Sequence, residues 1–119
     1  SQPYAIDGDT PLAYTHLQVL ETAVFTRQVQ AVMSAEEYRI LQMALVLRPD
    51  AGTVIPGSGG LRKLRWTLPG RGKRGGARVI YYWKTHAGQI LLLYLYRKTE
   101  HGTLRSTQLK ALRQLAGDD

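Results

Sequence analysis

Two apolar segments joined by a four-residue turn constrain the fold of this 119-residue chain more than any other feature. Ala77–Lys84 and Gln89–Tyr96 are rich in β-branched, leucine and tyrosine side chains, and Thr85–Gly88 supplies the polar and glycine residues of a turn. Runs of this composition around a short turn predict an antiparallel hairpin. From Leu61 to Leu68 apolar and polar residues alternate, which predicts a further strand upstream. We therefore predict a three-stranded antiparallel meander.

The N-terminal half has helical rather than alternating periodicity. Leu17–Leu20 is a short apolar run that predicts a first strand. Apolar residues then recur at helical spacing over Val24–Met33. Ser34 and Glu37 form a capping box that opens a second helix, which we expect to end before Pro49.

Glycine and proline mark the connections. We interpret Pro49–Gly60 as a loop and Pro69–Gly76 as a long basic hairpin loop. Ser106 is expected to cap a short C-terminal helix, with its apolar stripe at Leu109, Leu112 and Leu115. Residues 1–14 are interpreted as a flexible leader, native or added, ahead of one domain at 15–119. The expected fold class is α+β, with two N-terminal helices packed on a small, mainly antiparallel sheet and a short C-terminal helix.

Composition excludes several classes of protein. The absence of cysteine excludes a disulfide scaffold, a thiolate zinc site and a cysteine nucleophile. The three histidines show no metal-ligand spacing, so we expect neither a metal nor another cofactor. The longest apolar run, Ile90–Tyr96, has seven residues, far fewer than the ~20 that a membrane-spanning helix needs. The N-terminal residues have no secretory-signal pattern, and we expect a cytoplasmic protein.

The positive charge lies almost entirely in the second half. Residues 1–60 carry three basic and six acidic side chains, a sum of −3, whereas residues 61–119 carry thirteen basic and three acidic ones, a sum of +10. Seven cations fall within 61–78 without an acid among them: Arg62, Lys63, Arg65, Arg71, Lys73, Arg74 and Arg78. Such a field attracts a polyanion, and we predict nucleic acid. A solvated basic hairpin and an acidic protein partner are the alternatives.

Alternation along the strands predicts which residues share a face. We expect the N-terminal helices to cover the face that carries Leu64, Trp66, Val79, Tyr81, Leu91, Leu93 and Leu95. The open face then gathers Lys63, Arg65, Arg78, Tyr94, Tyr96 and Lys98. Cations among aromatic rings are typical of single-stranded RNA binding, in which charges contact phosphates and rings stack on bases. The alternative for Tyr94 and Tyr96 is packing in the core.

The residues of this face also suit one reaction, the cleavage of a phosphodiester without a metal. It needs a base for the 2′-hydroxyl, cations for the charge that grows on phosphorus, and an acid for the 5′ leaving oxygen. Carboxylate-based metal catalysis is disfavoured because Glu100 is the only acid of the basic half away from the C-terminal end. Lys63, Arg65 and Arg78 suit the electrostatic part, and a lysine, a tyrosine or His101 can transfer protons.

Three ordered motifs resemble the HigB branch of the RelE toxin superfamily. They are Gly59–Arg65 (GGLRKLR), Gly72–Tyr82 (GKRGGARVIYY) and Tyr94–Glu100 (YLYRKTE). The capping box and the loop before the first motif fit the same pattern. The similarity covers roughly residues 17–116 and leaves out the leader.

The resemblance implies a curved sheet beneath the two N-terminal helices and the toxin of a type II toxin–antitoxin pair. Such toxins are metal-independent endoribonucleases (mRNA interferases) that enter the ribosomal A site and cut the mRNA there, which halts translation. The implied partners are the ribosome, mRNA and a helix-turn-helix antitoxin of the HigA kind. Operator DNA is contacted through the antitoxin complex, and no membrane partner is implied.

Carried over by motif, Lys63 and Arg65 resemble two strand cations with base and phosphate roles, and Arg78 resembles the arginine that stabilises the phosphorane. Lys98 lies where the family keeps another functional cation. Thr99 stands where the RelE pattern has arginine, and the C-terminal catalytic tyrosine has no clear counterpart. The candidates for its acid or base role are His101, Tyr94 and Tyr96. The expected contacts to RNA and the ribosome are Arg62, Arg71, Lys73 and Arg74.

Two other functions stay open at this point. ParE-like proteins resemble this fold and inhibit DNA gyrase by binding, and a basic module can bind the ribosome without cleaving RNA. The GLRKxR motif followed by GKRGG favours the nuclease.

Overall fold

The computed structural model describes residues 17–68, 76–100 and 102–119. The strands are β1 (Gln18–Glu21), β2 (Thr53–Val54), β3 (Arg62–Trp66), β4 (Ala77–Lys84) and β5 (Gln89–Arg97). The helices are α1 (Ala23–Val32), α2 (Ala35–Leu47) and α3 (Ser106–Ala116). The predicted leader at 1–14, the predicted hairpin loop up to residue 75, and His101 lie outside the described residues.

Local capping fixes where the two N-terminal helices begin. The Thr22 hydroxyl accepts a hydrogen bond from the Phe25 amide at 3.0 Å, which satisfies one of the free N–H groups of α1. The Ser34 hydroxyl accepts from the Glu37 amide at 3.1 Å, and the Glu37 carboxylate accepts from the Ser34 amide at 2.9 Å. The predicted capping box is therefore confirmed, and α2 ends before Pro49 as expected.

The five strands form one mixed sheet in the order β1-β5-β4-β3-β2. The predicted antiparallel meander β3-β4-β5 is confirmed. The edge strand β1 pairs parallel with β5, with Val19 opposite Ile90. One of the four strand pairs is therefore parallel, and the other three are antiparallel. At the other edge, β2 adds a two-residue strand inside the segment predicted as a loop, with Thr53 opposite Lys63.

A bulge in β5 changes which side chains share a face. Tyr81 pairs with Leu92 and Ile80 pairs with Tyr94, so Leu93 is an extra residue without a partner in β4. A bulge of this kind shifts the alternation of the strand by one residue beyond it. Side chains before and after the bulge therefore cannot be placed by one continuous alternation.

The predicted face of β5 was wrong for this reason. Strict alternation put Leu91, Leu93 and Leu95 together under the N-terminal helices. In the structure Leu95 packs there with Ile90, whereas Leu91 and Leu93 pack on the opposite face.

The sheet carries a core on each face. The first lies under α1 and α2 and includes Phe25, Leu41, Leu45, Val79 and Tyr81. The second lies on the opposite face, where Leu61, Ile80, Leu93, Tyr96 and Leu104 are buried beside α3. The face predicted to be open is therefore partly covered, since the C-terminal helix packs its apolar side on it.

The C-terminal helix differs in detail from its prediction. Arg105, not Ser106, is the N-cap residue, and its amide donates to the Gln108 side chain at 2.7 Å. Leu115 of the predicted stripe is 61% exposed, and the buried position at this end of α3 belongs to Ala116. In the described parts of the chain, no helix has the length and apolar character required to cross a membrane.

Candidate functional site

Three adjacent strands place five of the predicted site residues in two rows on the α3 side of the sheet. In the first row, Arg65 of β3 pairs with Arg78 of β4, which pairs with Tyr96 of β5. In the second row, Lys63 pairs with Ile80, which pairs in turn with Tyr94. Neighbouring strands are about 4.8 Å apart, so each row brings its three side chains side by side. That these residues form a functional site stays a prediction.

The electrostatics of the first row favour an anion. Arg65 and Arg78 are direct cross-strand partners, an arrangement that destabilises a sheet when both charges have the same sign. Among the described residues, no carboxylate lies within ion-pair distance of either guanidinium or of Lys63. Three cations without a neighbouring acid attract a negatively charged group such as a phosphate.

A groove runs along β3 beside Lys63 and Arg65. Its volume is about 610 Å³, and it lies between the chain at Ala51–Pro56 and strand β3. Lys63 and Arg65 are its charged lining residues, and Thr53, Val54 and Ile55 also line it. An extended ligand with negative charge therefore has room beside the two cations.

The two tyrosines differ in accessibility. Tyr96 is 3% exposed and belongs to the second core, so the core-packing alternative is confirmed for this ring. Burial raises the pKa of the Tyr96 hydroxyl, while the positive charge of Arg78 opposes that shift. Tyr94 is half-buried, and its ring centroid lies 6.1 Å from that of Tyr96. Of the two tyrosines, only Tyr94 is partly exposed.

Lys98 lies beside the first row, just beyond the end of β5. It is exposed in the turn that follows β5, and its amide donates to the Gly76 carbonyl at 3.1 Å. This bond extends the ladder between β4 and β5 by one residue. Lys98 is thus attached to the same end of the sheet as the first row.

Arg62 points away from the other predicted site residues. It lies on the same face of β3 as Leu64, which packs against the first core. Its guanidinium donates to the Gly52 carbonyl at 2.8 Å and to the Asp50 carbonyl at 3.4 Å. The structure therefore does not bring Arg62 together with Lys63. Outside the described residues lie the remaining predicted site residues, Arg71, Lys73, Arg74 and His101.

A tyrosine that sequence reasoning assigned only to the core holds the groove wall in place. The Tyr81 hydroxyl donates to the Pro49 carbonyl at 2.6 Å and accepts from the Gly52 amide at 2.8 Å. A Cβ atom at Gly52 would lie 2.8 Å from the Tyr81 ring, so this close approach requires glycine. The alternation placed Tyr81 inward correctly but gave no signal for its polar contacts.

Comparison with known proteins agrees with this architecture. No protein-family model matches the chain. Among solved structures, the chain is similar to a mutant form of the E. coli toxin RelE in the free state, with a TM-score of 0.57 and 9% sequence identity. The similarity covers 87% of this chain and 99% of that one. The chain therefore has a RelE-like fold.

Proposed function

We propose that this protein is the toxin of a type II toxin–antitoxin pair and a metal-independent endoribonuclease that cuts mRNA in the ribosomal A site. The observation that carries this proposal is the opposed pair Arg65 and Arg78, with Lys63 in the next row. Like charges directly opposite each other destabilise a sheet, and an anion bound between them would offset the repulsion. The similarity of the fold to the toxin RelE supports the same assignment.

The arrangement suits in-line attack of the 2′-oxygen on the adjacent phosphorus. The bond from phosphorus to the 5′ oxygen breaks, which leaves a 2′,3′-cyclic phosphate and a 5′-hydroxyl. The neutral amine form of Lys63 receives the proton of the attacking 2′-hydroxyl and becomes an ammonium, and Arg65 holds a phosphate oxygen. Arg78 stabilises the negative charge that grows on the phosphorane. In other nucleases, carboxylates hold a divalent metal that stabilises this charge. Here cationic side chains stabilise it directly, and their positive charge disfavours the binding of a metal cation.

The 5′ leaving oxygen also needs a proton. Tyr94 is the best placed of the described candidates, because it lies in the row of Lys63 and is only half-buried. Tyr96 is buried, so its hydroxyl has little access to an RNA strand. We therefore assign the general acid to Tyr94 and give Tyr96 a supporting role beside Arg78.

The partners follow from the same proposal. The sequence motifs resemble the HigB branch, which favours a helix-turn-helix antitoxin of the HigA kind and a place of action on the cytoplasmic ribosome. Operator DNA is then contacted through the complex with the antitoxin. Lys98, at the end of β5, extends the cationic surface toward the RNA.

Primer extension on a reporter mRNA in a purified translation system tests this function. We expect cuts within A-site codons when ribosomes and the protein are both present, and an intact message when either is left out. Cuts in the message when ribosomes are left out would contradict ribosome dependence. An intact message together with blocked growth would contradict the nuclease and favour gyrase inhibition or ribosome binding without cleavage.

A further inference from the structure

A second groove lies between α3 and the glycine-rich turn that precedes β3. Its volume is about 580 Å³. The helix side is formed by one polar face of α3, with Ser106, Thr107, Lys110 and Arg113, and the other side by Gly57–Gly59. This groove belongs to neither of the two rows described above.

Both walls of the groove are fixed by specific contacts. The Arg113 guanidinium lies 4.2 Å from the centroid of the Tyr82 ring. It donates to the Gly59 carbonyl at 2.9 Å, to the Tyr82 hydroxyl at 3.2 Å and to the Gly117 carbonyl at 2.7 Å. One arginine thus connects the helix, the turn and the sheet, and the groove is present before any ligand arrives.

The turn itself is also ordered by a buried side chain. Ser58 is 5% exposed, and its hydroxyl donates to the Ile55 carbonyl at 2.6 Å and accepts from the Leu61 amide at 3.0 Å. The Ile55 amide donates to the Leu61 carbonyl at 2.8 Å, which closes the base of the turn. A closed turn gives the groove a defined shape on this side.

The chemistry of the lining selects a negatively charged ligand with oxygen acceptors. Its charged side chains are Lys110 and Arg113, both cations, and no carboxylate is among the described lining residues. The hydroxyls of Ser106 and Thr107 add hydrogen-bond donors. The lining has no aromatic ring on which a base could stack. Phosphate groups, rather than bases, fit this set of donors.

The position of the groove relates it to the proposed active site. Ile55 and Pro56 line the groove beside Lys63, and Gly57–Gly59 line the groove beside Lys110. Consecutive residues of one short segment, 55–59, therefore line the two grooves.

We propose that the groove between Gly57–Gly59 and α3 binds the phosphodiester backbone of the same RNA strand, outside the cleaved nucleotide, with Lys110 as the main phosphate contact. This proposal deepens the proposed function and rests on its RNA substrate. The contact is independent of base sequence, so it adds affinity and leaves codon preference to the residues nearer Lys63.

The test is the salt dependence of binding to a short single-stranded RNA whose 2′-oxygens are methylated, so that it cannot be cleaved. Each phosphate contact on a single strand contributes about 0.7 to the slope of log affinity against log salt. We expect Lys110→Ala to lower the slope by that amount and Lys110→Arg to retain it. Arg39→Ala is the matched control, because it removes one exposed positive charge on α2.

The proposal is overturned if Lys110→Ala and Arg39→Ala bind this RNA with the same slope and affinity. Cleavage on the ribosome separates this failure from failure of the proposed function. If the wild type cleaves in the A site and the Lys110→Ala variant has the wild-type salt slope, only the groove proposal is refuted. A slope that falls in Lys110→Ala, in a protein that cuts no message, would support the groove and refute the nuclease.

Discussion

Arg65 and Arg78 lie directly opposite each other on adjacent antiparallel strands, and Arg78 is in turn opposite Tyr96. The Cβ atoms of residues in this position are about 5 Å apart, so two positive charges there destabilise the pairing of the strands. The described residues provide no carboxylate at ion-pair distance to compensate for the repulsion. The pair is therefore maintained at a cost in stability, as is common where charges are arranged for a ligand.

Removal of one of these charges is expected to stabilise the free protein. Arg65→Gln should raise the free energy of unfolding by about 0.2–1 kcal/mol, because a like-charge cross-strand pair is lost. Urea denaturation at low and at high salt measures the effect, which should be larger at low salt. Arg39→Gln is the control, since Arg39 forms an ion pair with Glu36 at 2.8 Å. Equal changes in the two variants would show that the opposed pair carries no repulsion.

The wall of the groove beside Lys63 is expected to depend on the glycine at position 52. Gly52→Ala places a Cβ 2.8 Å from the Tyr81 ring and 3.1 Å from the Lys63 backbone. Overpacking of this kind costs about 1–3 kcal/mol of unfolding free energy. Gly102→Ala is the matched control, because a Cβ there has no neighbour within 4 Å among the described residues. Thermal or urea unfolding that shows no difference between these variants would contradict the tight contact.

Alkaline pH is expected to weaken the fold through Tyr38. Burial raises the pKa of the Tyr38 hydroxyl, and the neighbouring Glu21 carboxylate raises it further. The neutral phenol is thus favoured in the folded state, so this stabilisation is complete below pH 10 and is lost as the pH rises above it. Tyr38→Phe should lose less stability than the wild type between about pH 10 and 11.5. Parallel pH curves for the two proteins, measured by urea denaturation, would refute this contribution.

The assignment of the general acid is tested by two matched tyrosine variants. Tyr94→Phe removes the hydroxyl that lies in the same row as Lys63 and should lower the rate of cleavage by about 10²–10⁴-fold. Tyr96→Phe changes a buried ring of the second core and should leave the rate within a few-fold of wild type. A large loss only in Tyr96→Phe would transfer the role to that residue.

The elements that the sequence predicted well are those whose signals are local. The strands β4 and β5 follow from apolar runs around a tight turn, and the start of α2 follows from the capping box of Ser34 and Glu37. These features depend on residues within a few positions of each other. Local hydrogen bonds and periodicity therefore suffice to place them.

The features that sequence reasoning missed depend on contacts between distant segments. All seven residues of Ile90–Tyr96 are buried or half-buried on one face or the other, so hydrophobic alternation could not locate the bulge at Leu93. The parallel pairing of β1 with β5 joins segments about 70 residues apart, beyond the reach of any periodicity. The role of Arg113 likewise emerges only when α3 has packed beside Tyr82.

The most direct test of the central claim is single-turnover cleavage of a ribosome-bound message by Arg78→Ala. We expect a rate about 10²–10³-fold below wild type, because one donor to the phosphorane is removed. The far-ultraviolet circular dichroism should be unchanged, and the thermal stability should not fall, since one charge of the opposed pair is removed. Arg39→Ala, which removes a positive charge from α2, should cleave at the wild-type rate. Wild-type cleavage by a folded Arg78→Ala protein would contradict the proposed active site.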